Sequence, residues 1–192
     1  MRKRSQSNIK IGLDMDGVLI DHTGIRIKLA KEYGFALTPK DTPSDILRTI
    51  LPDKERWAIQ NTIYNDPFVS LQAPLIKNVE ESLKRLTEVK IPFFLISRRK
   101  DANLAMRLLE ARGIWPRYFN PENTRFVITP EDKDTEAIKF GITHYVDDEI
   151  KVLKALNSVP HKILFDPYDA QEEGNYVRAR SWEDVMQHFL NQ

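Results

Sequence analysis

Two aspartates one residue apart, Asp14 and Asp16, close the apolar run Ile9-Lys10-Ile11-Gly12-Leu13 and are followed by Gly17 and Val18. Carboxylates at this spacing can divide a group-transfer reaction: one attacks as a nucleophile and the other moves a proton. A divalent cation keeps their neighbouring charges compatible. Alternation along an extended backbone would send both side chains the same way. Gly17 lets the backbone approach a ligand closely. The same residues also suit a plain solvated turn. An EF-hand loop fits less well, because it needs further oxygen ligands at fixed offsets and a closing Glu. This chain instead continues Val18-Leu19-Ile20.

Other chemistry-bearing residues also follow apolar runs. Ser97-Arg98-Arg99-Lys100 comes after Ile91–Ile96, and Asp147-Asp148-Glu149 after His144-Tyr145-Val146. Lys133 lies early in the helical stretch before that acid pair. Together they outline a phosphate site. Asp14, Asp16 and Asp147 offer hard oxygens, which favour Mg²⁺ over zinc. Ser97 offers a hydroxyl and Lys133 a cation for phosphate oxygens, with Arg98 in the adjoining positive cluster. Each has a plainer reading. Ser97, or the pair Asp147-Asp148, could cap the next helix, and Lys133 could be a solvated surface lysine. Lys139 competes for its role but sits late in the same helix, just before Gly141.

The elements that must position these groups read as an α/β fold. Strands are expected at 9–13, 91–96, 125–128, 144–146 and 162–165, with a short extra one at 176–179. Helices lie between them, the last capped by Ser181. Such alternation implies a parallel sheet covered on both faces, with ligands at the carboxyl ends of the strands. No strand signal appears from Asp21 to Leu75, and helical spacing runs through Ile46, Ile50, Trp57, Asn61 and Tyr64. The segment reads as a small helical insert. Trp57 and Tyr64 on one helical face could stack on a substrate or pack as core.

With 192 residues, 41% hydrophobic and 30% charged, the chain suits one domain with a real core. A net charge of +1 speaks against a nucleic-acid polymer as partner. The basic run Arg2-Lys3-Arg4 reads as a solubilising tail. The absence of cysteine excludes disulfides and thiolate chemistry and suits a reducing cytoplasm. No apolar run suggests a membrane partner. Oligomeric state is not legible.

These residues carry a resemblance. Asp14-Met15-Asp16-Gly17-Val18, Ile96-Ser97, Lys133 and Asp147-Asp148 match in order the four motifs of the haloacid dehalogenase superfamily of hydrolases. The resemblance implies a Rossmann-like three-layer sheet ordered 3-2-1-4-5, with residues 1–19 and 77–192 as catalytic core and 20–76 as a helical cap. It implies that Asp14 forms an aspartyl-phosphate and that Asp16 is general acid and base, with its main-chain carbonyl on Mg²⁺. Asp147 would be a direct metal ligand, and Asp148 a second one or one acting through water. The substrate would be a small phosphorylated metabolite. The short cap and the Asp147-Asp148-Glu149 ending are also similar to the deoxyribonucleotidase-like branch. A phospho-receiver domain uses similar residues but places its lysine last, whereas Lys133 precedes Asp147 here. The remaining alternative is a non-catalytic phospho-ligand-binding or regulatory protein on the same scaffold.

Overall fold

Leu13 is paired with Leu95 on one side and Val146 on the other, which makes its strand the centre of the sheet. The computed structural model describes residues 9–171 and 176–190, so Arg2-Lys3-Arg4 lies outside the described residues. Its strands are β1 (Ile11–Leu13), β2 (Phe93–Ser97), β3 (Thr124–Phe126), β4 (His144–Asp147), β5 (His161–Phe165) and β6 (Val177–Ala179). They form one parallel sheet ordered 3-2-1-4-5-6. The expected order is present, and β6 adds an edge strand. The chain leaves β1 toward β2 on one side and returns through β4 on the other. That reversal opens a crevice at the carboxyl ends of β1 and β4, where open parallel sheets bind ligands.

Between β1 and β2 the chain forms α1 (Thr23–Glu32), a 3-10 turn at Pro39–Asp41, α2 (Ser44–Ile50), α3 (Asp53–Asn65) and α4 (Pro67–Ser70). Of the remaining helices, α5 (Val79–Glu88) and α6 (Ala102–Ala111) flank β2, α7 (Pro130–Phe140) and α8 (Ile150–Ala155) flank β4, and α9 (Trp182–Leu190) ends the described chain. Alternate strand residues feed two apolar clusters. Leu13, Leu95 and Val146 join Leu83, Leu108 and Val185, while Ile96, Tyr145 and Leu164 join Ala137, Val152 and Leu153. Burying both faces is what makes these strands read as apolar runs rather than alternating ones.

The helices between β1 and β2 keep a cluster of their own, built on Ala30, Leu47, Leu51, Ile59 and Ile63. The helical spacing read from Ile46 to Tyr64 is not one helix. Leu51 is extended at φ −97°, ψ 134°, because it precedes Pro52 and the proline ring disfavours the helical conformation there. Proline at position 52 then starts α3 without wasting a backbone donor. Two adjacent crossings join this layer to the sheet: Asp21 N–H donates to Pro74, and Ile76 N–H donates to Leu19, each at 2.9 Å. Arg112 clamps the return strand by donating to the carbonyls of Leu71 and Ala73 at 2.6 and 2.7 Å.

Candidate active site

The floor of the crevice is a buried lysine between two carboxylates. Lys133 Nζ donates to Asp14 Oδ1 at 2.6 Å and to Asp147 Oδ2 at 2.8 Å, with its side chain 1% exposed. Thr129 and Asp132 make a reciprocal capping box at the start of α7, and Pro130 fills its first position. This start aims Lys133, one turn in, at the end of β1. Tyr145 supports it from below, with its ring centroid 5.5 Å from Nζ. That ring crosses β1 to donate its hydroxyl to Ile96 at 3.0 Å. The crossing requires Gly12, since a Cβ there would lie 2.4 Å from the Tyr145 ring.

Burial penalises these charges, but Asp14 and Asp147 hold Lys133 protonated, well above the usual lysine range. One lysine does not balance the acids. Burial first, with Asp147 and Asp16 adding to it, pushes Asp14 up to about 7 against the pull of Lys133. Burial and the acids beside it push Asp148 up as well. Carboxylate oxygens of Asp14, Asp147 and Asp148 lie within 4.8 Å of one another. An all-oxygen cluster with surplus negative charge fits a hard divalent cation. Gly17 makes room for the Asp148 carboxylate in this cluster. Its φ is +88°, and a Cβ would lie 2.2 Å from Asp148 Oδ2.

Asp16 points elsewhere. The strand stops at Leu13, and the carbonyl of Met15 accepts the N–H groups of Leu19 and Ile20. This turn breaks the alternation expected of an unbroken strand, and the two carboxylates take different partners. Arg99 grips Asp16 through Nε at 2.8 Å and Nη2 at 3.0 Å, and His22 Nε2 lies 2.6 Å from Oδ1. Burial opposes ionisation, yet Arg99 and His22 outweigh it and hold the carboxyl well below its usual range. Arg99 also donates to the Tyr64 carbonyl at 3.2 Å and Ser70 Oγ at 3.4 Å, which ties Asp16 to α3 and α4.

The other candidates divide. Ser97 is buried at the end of β2, where its hydroxyl accepts the Arg99 N–H at 3.2 Å. The cap of α6 is Asp101 instead. Asp147 is likewise no helix cap, since its oxygens go to Lys133 and the Glu149 N–H. Arg98 pairs with Glu149 at 2.6 Å on the cleft wall. Lys139 lies outside the crevice, with its side chain 62% exposed and paired to Glu136. Trp57 and Tyr64 both line the cleft, at different depths. Trp57 is 61% exposed on a cavity of about 630 Å³ whose floor includes Asp14 and Asp16. Tyr64 lines the same cavity but is half-buried against the helical layer, where its hydroxyl accepts from Arg26 at 2.9 Å and its ring centroid lies 4.6 Å from the Arg99 guanidinium.

Sequence reasoning did not find His22, Arg26 or Arg99 as site residues. Arg99 stood in a positive cluster that read as a unit, and only its burial separates it from Arg98 and Lys100. His22 carried no local signal, since its partner is set by the turn after Met15.

No sequence-family model and no curated protein sequence matches the chain. Solved structures do. A haloacid dehalogenase family hydrolase from Deinococcus radiodurans R1, with bound phosphate and sodium, superposes with a TM-score of 0.62 at 16% identity, covering 95% of each chain. A hydrolase of family IA, variant 3, from Entamoeba histolytica gives 0.63 at 15% identity, over 96% of this chain and 100% of that one. A predicted phosphoglycolate phosphatase from Haemophilus somnus 129pt gives 0.60 at 16% identity, over 96% of this chain and 99% of that one. What the four motifs resemble and what the sheet builds are thus the same, and the chain has the fold of the haloacid dehalogenase superfamily of hydrolases, with its acids and lysine gathered at the carboxyl edge of that sheet.

Proposed function

We propose that this protein is a Mg²⁺-dependent phosphomonoesterase acting on a small phosphorylated metabolite, such as a nucleotide or sugar phosphate, in the cytoplasm. The observation that carries the reading is the buried bridge Asp14–Lys133–Asp147 at the carboxyl ends of β1 and β4. A carboxylate placed there can attack phosphorus only if nearby positive charge offsets its own and that of the phosphate. Lys133 supplies part of that charge. Mg²⁺ held by Asp14, Asp147, Asp148 and the main-chain carbonyl of Asp16 would supply the rest, drawing charge from the phosphate oxygens. The folds shared with phosphatases and the phosphate bound in the Deinococcus structure support the same assignment.

Each residue then has a task. Asp14 attacks phosphorus, an Asp14–phosphate bond forms, and the ester P–O bond breaks. Asp16 gives its proton to the departing alkoxide. Water then attacks the aspartyl-phosphate, Asp16 takes a proton from that water, and inorganic phosphate leaves with Asp14 restored. Ser97 and Lys133 hold phosphate oxygens, and Arg98 lines the entrance. Held ionised by Arg99, Asp16 is ready for the base half of the cycle. The acid half requires its release, and the contacts of Arg99 to Tyr64 and Ser70 couple that release to the position of the helical segment 20–76 acting as a cap.

Hydrolysis of 4-nitrophenyl phosphate checks the proposal. Turnover is expected with Mg²⁺, lost after exhaustive chelation and restored by adding Mg²⁺ back. Full turnover without metal would overturn the metal assignment. Tight binding of phosphoesters with no hydrolysis under any divalent cation would overturn the enzyme assignment in favour of a binding or regulatory protein.

A further inference from the structure

The walls of the cleft carry more positive charge than this reaction uses. Six cations and four acids line its 630 Å³. Arg99 is taken up by Asp16, and Arg98 and Lys151 converge on Glu149. Left over are Arg48 and Arg56 on the helical layer, each paired only with an acid three residues back on its own helix, and Lys100 on the loop after β2. None of these belongs to the floor, where Lys133 already serves the reacting phosphate.

Arg56 is the most built of the three. Its side chain is 12% exposed, yet its acceptor is Asp53, one turn back at 2.5 Å and itself 84% exposed. Its Nε is buried without a hydrogen-bond partner. An unmet buried donor is costly, and a solvated helical ion pair offsets little of that cost. The guanidinium sits 5.2 Å from the ring centroid of Trp57, which is exposed and lines the cleft. A guanidinium fork fixed against an indole matches the two oxygens of a carboxylate or phosphate.

We propose that Arg56, braced on Trp57 and aided by Lys100, binds a second anionic group of the substrate. The substrate class is then a phosphomonoester that carries another oxyanion, either carboxylate or phosphate, away from the ester being cleaved. This rests on the phosphatase reading and names the substrate class of that same site. Binding energy from such a remote group anchors the reacting phosphate over Asp14.

Two matched pairs test it: 2-phosphoglycolate against 2-hydroxyethyl phosphate, and glucose 1,6-bisphosphate against glucose 6-phosphate. In at least one pair the doubly anionic ester is expected to have about tenfold higher kcat/KM, mostly through KM. The pair that shows it tells carboxylate from phosphate. Arg56→Gln should erase the preference and Arg56→Lys should keep part of it. Arg117→Gln, on the far surface in an exposed pair with Glu80, should leave it intact. No preference in either pair, or an equal loss of both esters in Arg56→Gln, would overturn the proposal. If no ester is hydrolysed, calorimetric titration of the same four compounds decides. A preference in Kd that Arg56→Gln removes sustains the subsite while the hydrolytic reading falls, and no such preference overturns the subsite too.

Discussion

The floor of the cleft and its helical roof solve opposite problems. On the floor, Asp14, Lys133 and Asp147 are buried and satisfy one another across 119 and 14 residues of sequence. On the roof, Arg56 and Arg48 lean on helical neighbours three residues away, and Trp57 is open to water. Charges locked in a dry network cannot adjust to different ligands, so they suit one reaction. Side chains paired only with a neighbour on their own helix, at the rim of the cleft, can exchange partners at small cost, so they suit recognition. Reaction and selectivity are thereby assigned to different layers, and Arg99 joins the two.

The largest expected effect is at the floor. Asp14→Asn should fold with a similar melting temperature and lose about 10³-fold or more in turnover, measured on a preparation checked for deamidation. Near-normal turnover would remove Asp14 as nucleophile. Lys133→Met should be nearly as damaging to turnover. It should also cost about 3–5 kcal/mol in denaturant unfolding, because two buried carboxylates lose their cation. Lys139→Met, on the same helix but solvated, should change neither by much. The reverse ranking would detach the floor from the chemistry.

The joint between the layers comes next. Arg99→Gln removes the charge that keeps Asp16 ionised, so Asp16 should keep its proton to higher pH and the alkaline limb of the kcat/KM profile, set by the acid half of the cycle, should move to higher pH. With Arg99 present, the stability contributed by Asp16 is complete above about pH 4 and declines only below it. An unmoved limb would show that Asp16 does not set it. The smallest effects are expected on the roof. Trp57→Ala should leave the melting temperature almost unchanged and alter the ranking of phosphate esters. Tyr64→Phe should cost about 1–3 kcal/mol through the lost Arg26 hydrogen bond and leave the ranking alone. Equal behaviour of the two aromatics would erase the distinction between exposed roof and packed layer.

Much of this architecture was legible because its signals are local. Apolar runs ending in Asp14, Ser97 and Asp147 marked strand ends, and Gly34, Gly113 and Gly141 marked helix stops with positive φ. Lys133 and Asp147 are 14 residues apart, so one helix and one strand suffice to bring them together. Glycine at positions 12 and 17 was visible, but its purpose was only partly so. Gly12 is explained by a tyrosine on β4 and Gly17 by a carboxylate after it, contacts that no window of sequence contains.

The amino-acid sequence by itself determined the parallel sheet, the order of the acids and lysine along its carboxyl edge, and the helical character of the segment between β1 and β2. Those follow from hydrophobic period, breakers and residue type, which act over a few residues. Only the tertiary structure decided that Asp16 is gripped by Arg99, 83 residues on, and that on the cleft wall Trp57 stays exposed while Tyr64 is half-buried. A turn of a few residues redirects a side chain, and packing between layers chooses which aromatic is covered. Both depend on partners distant in the chain, and neither leaves a periodic trace in it.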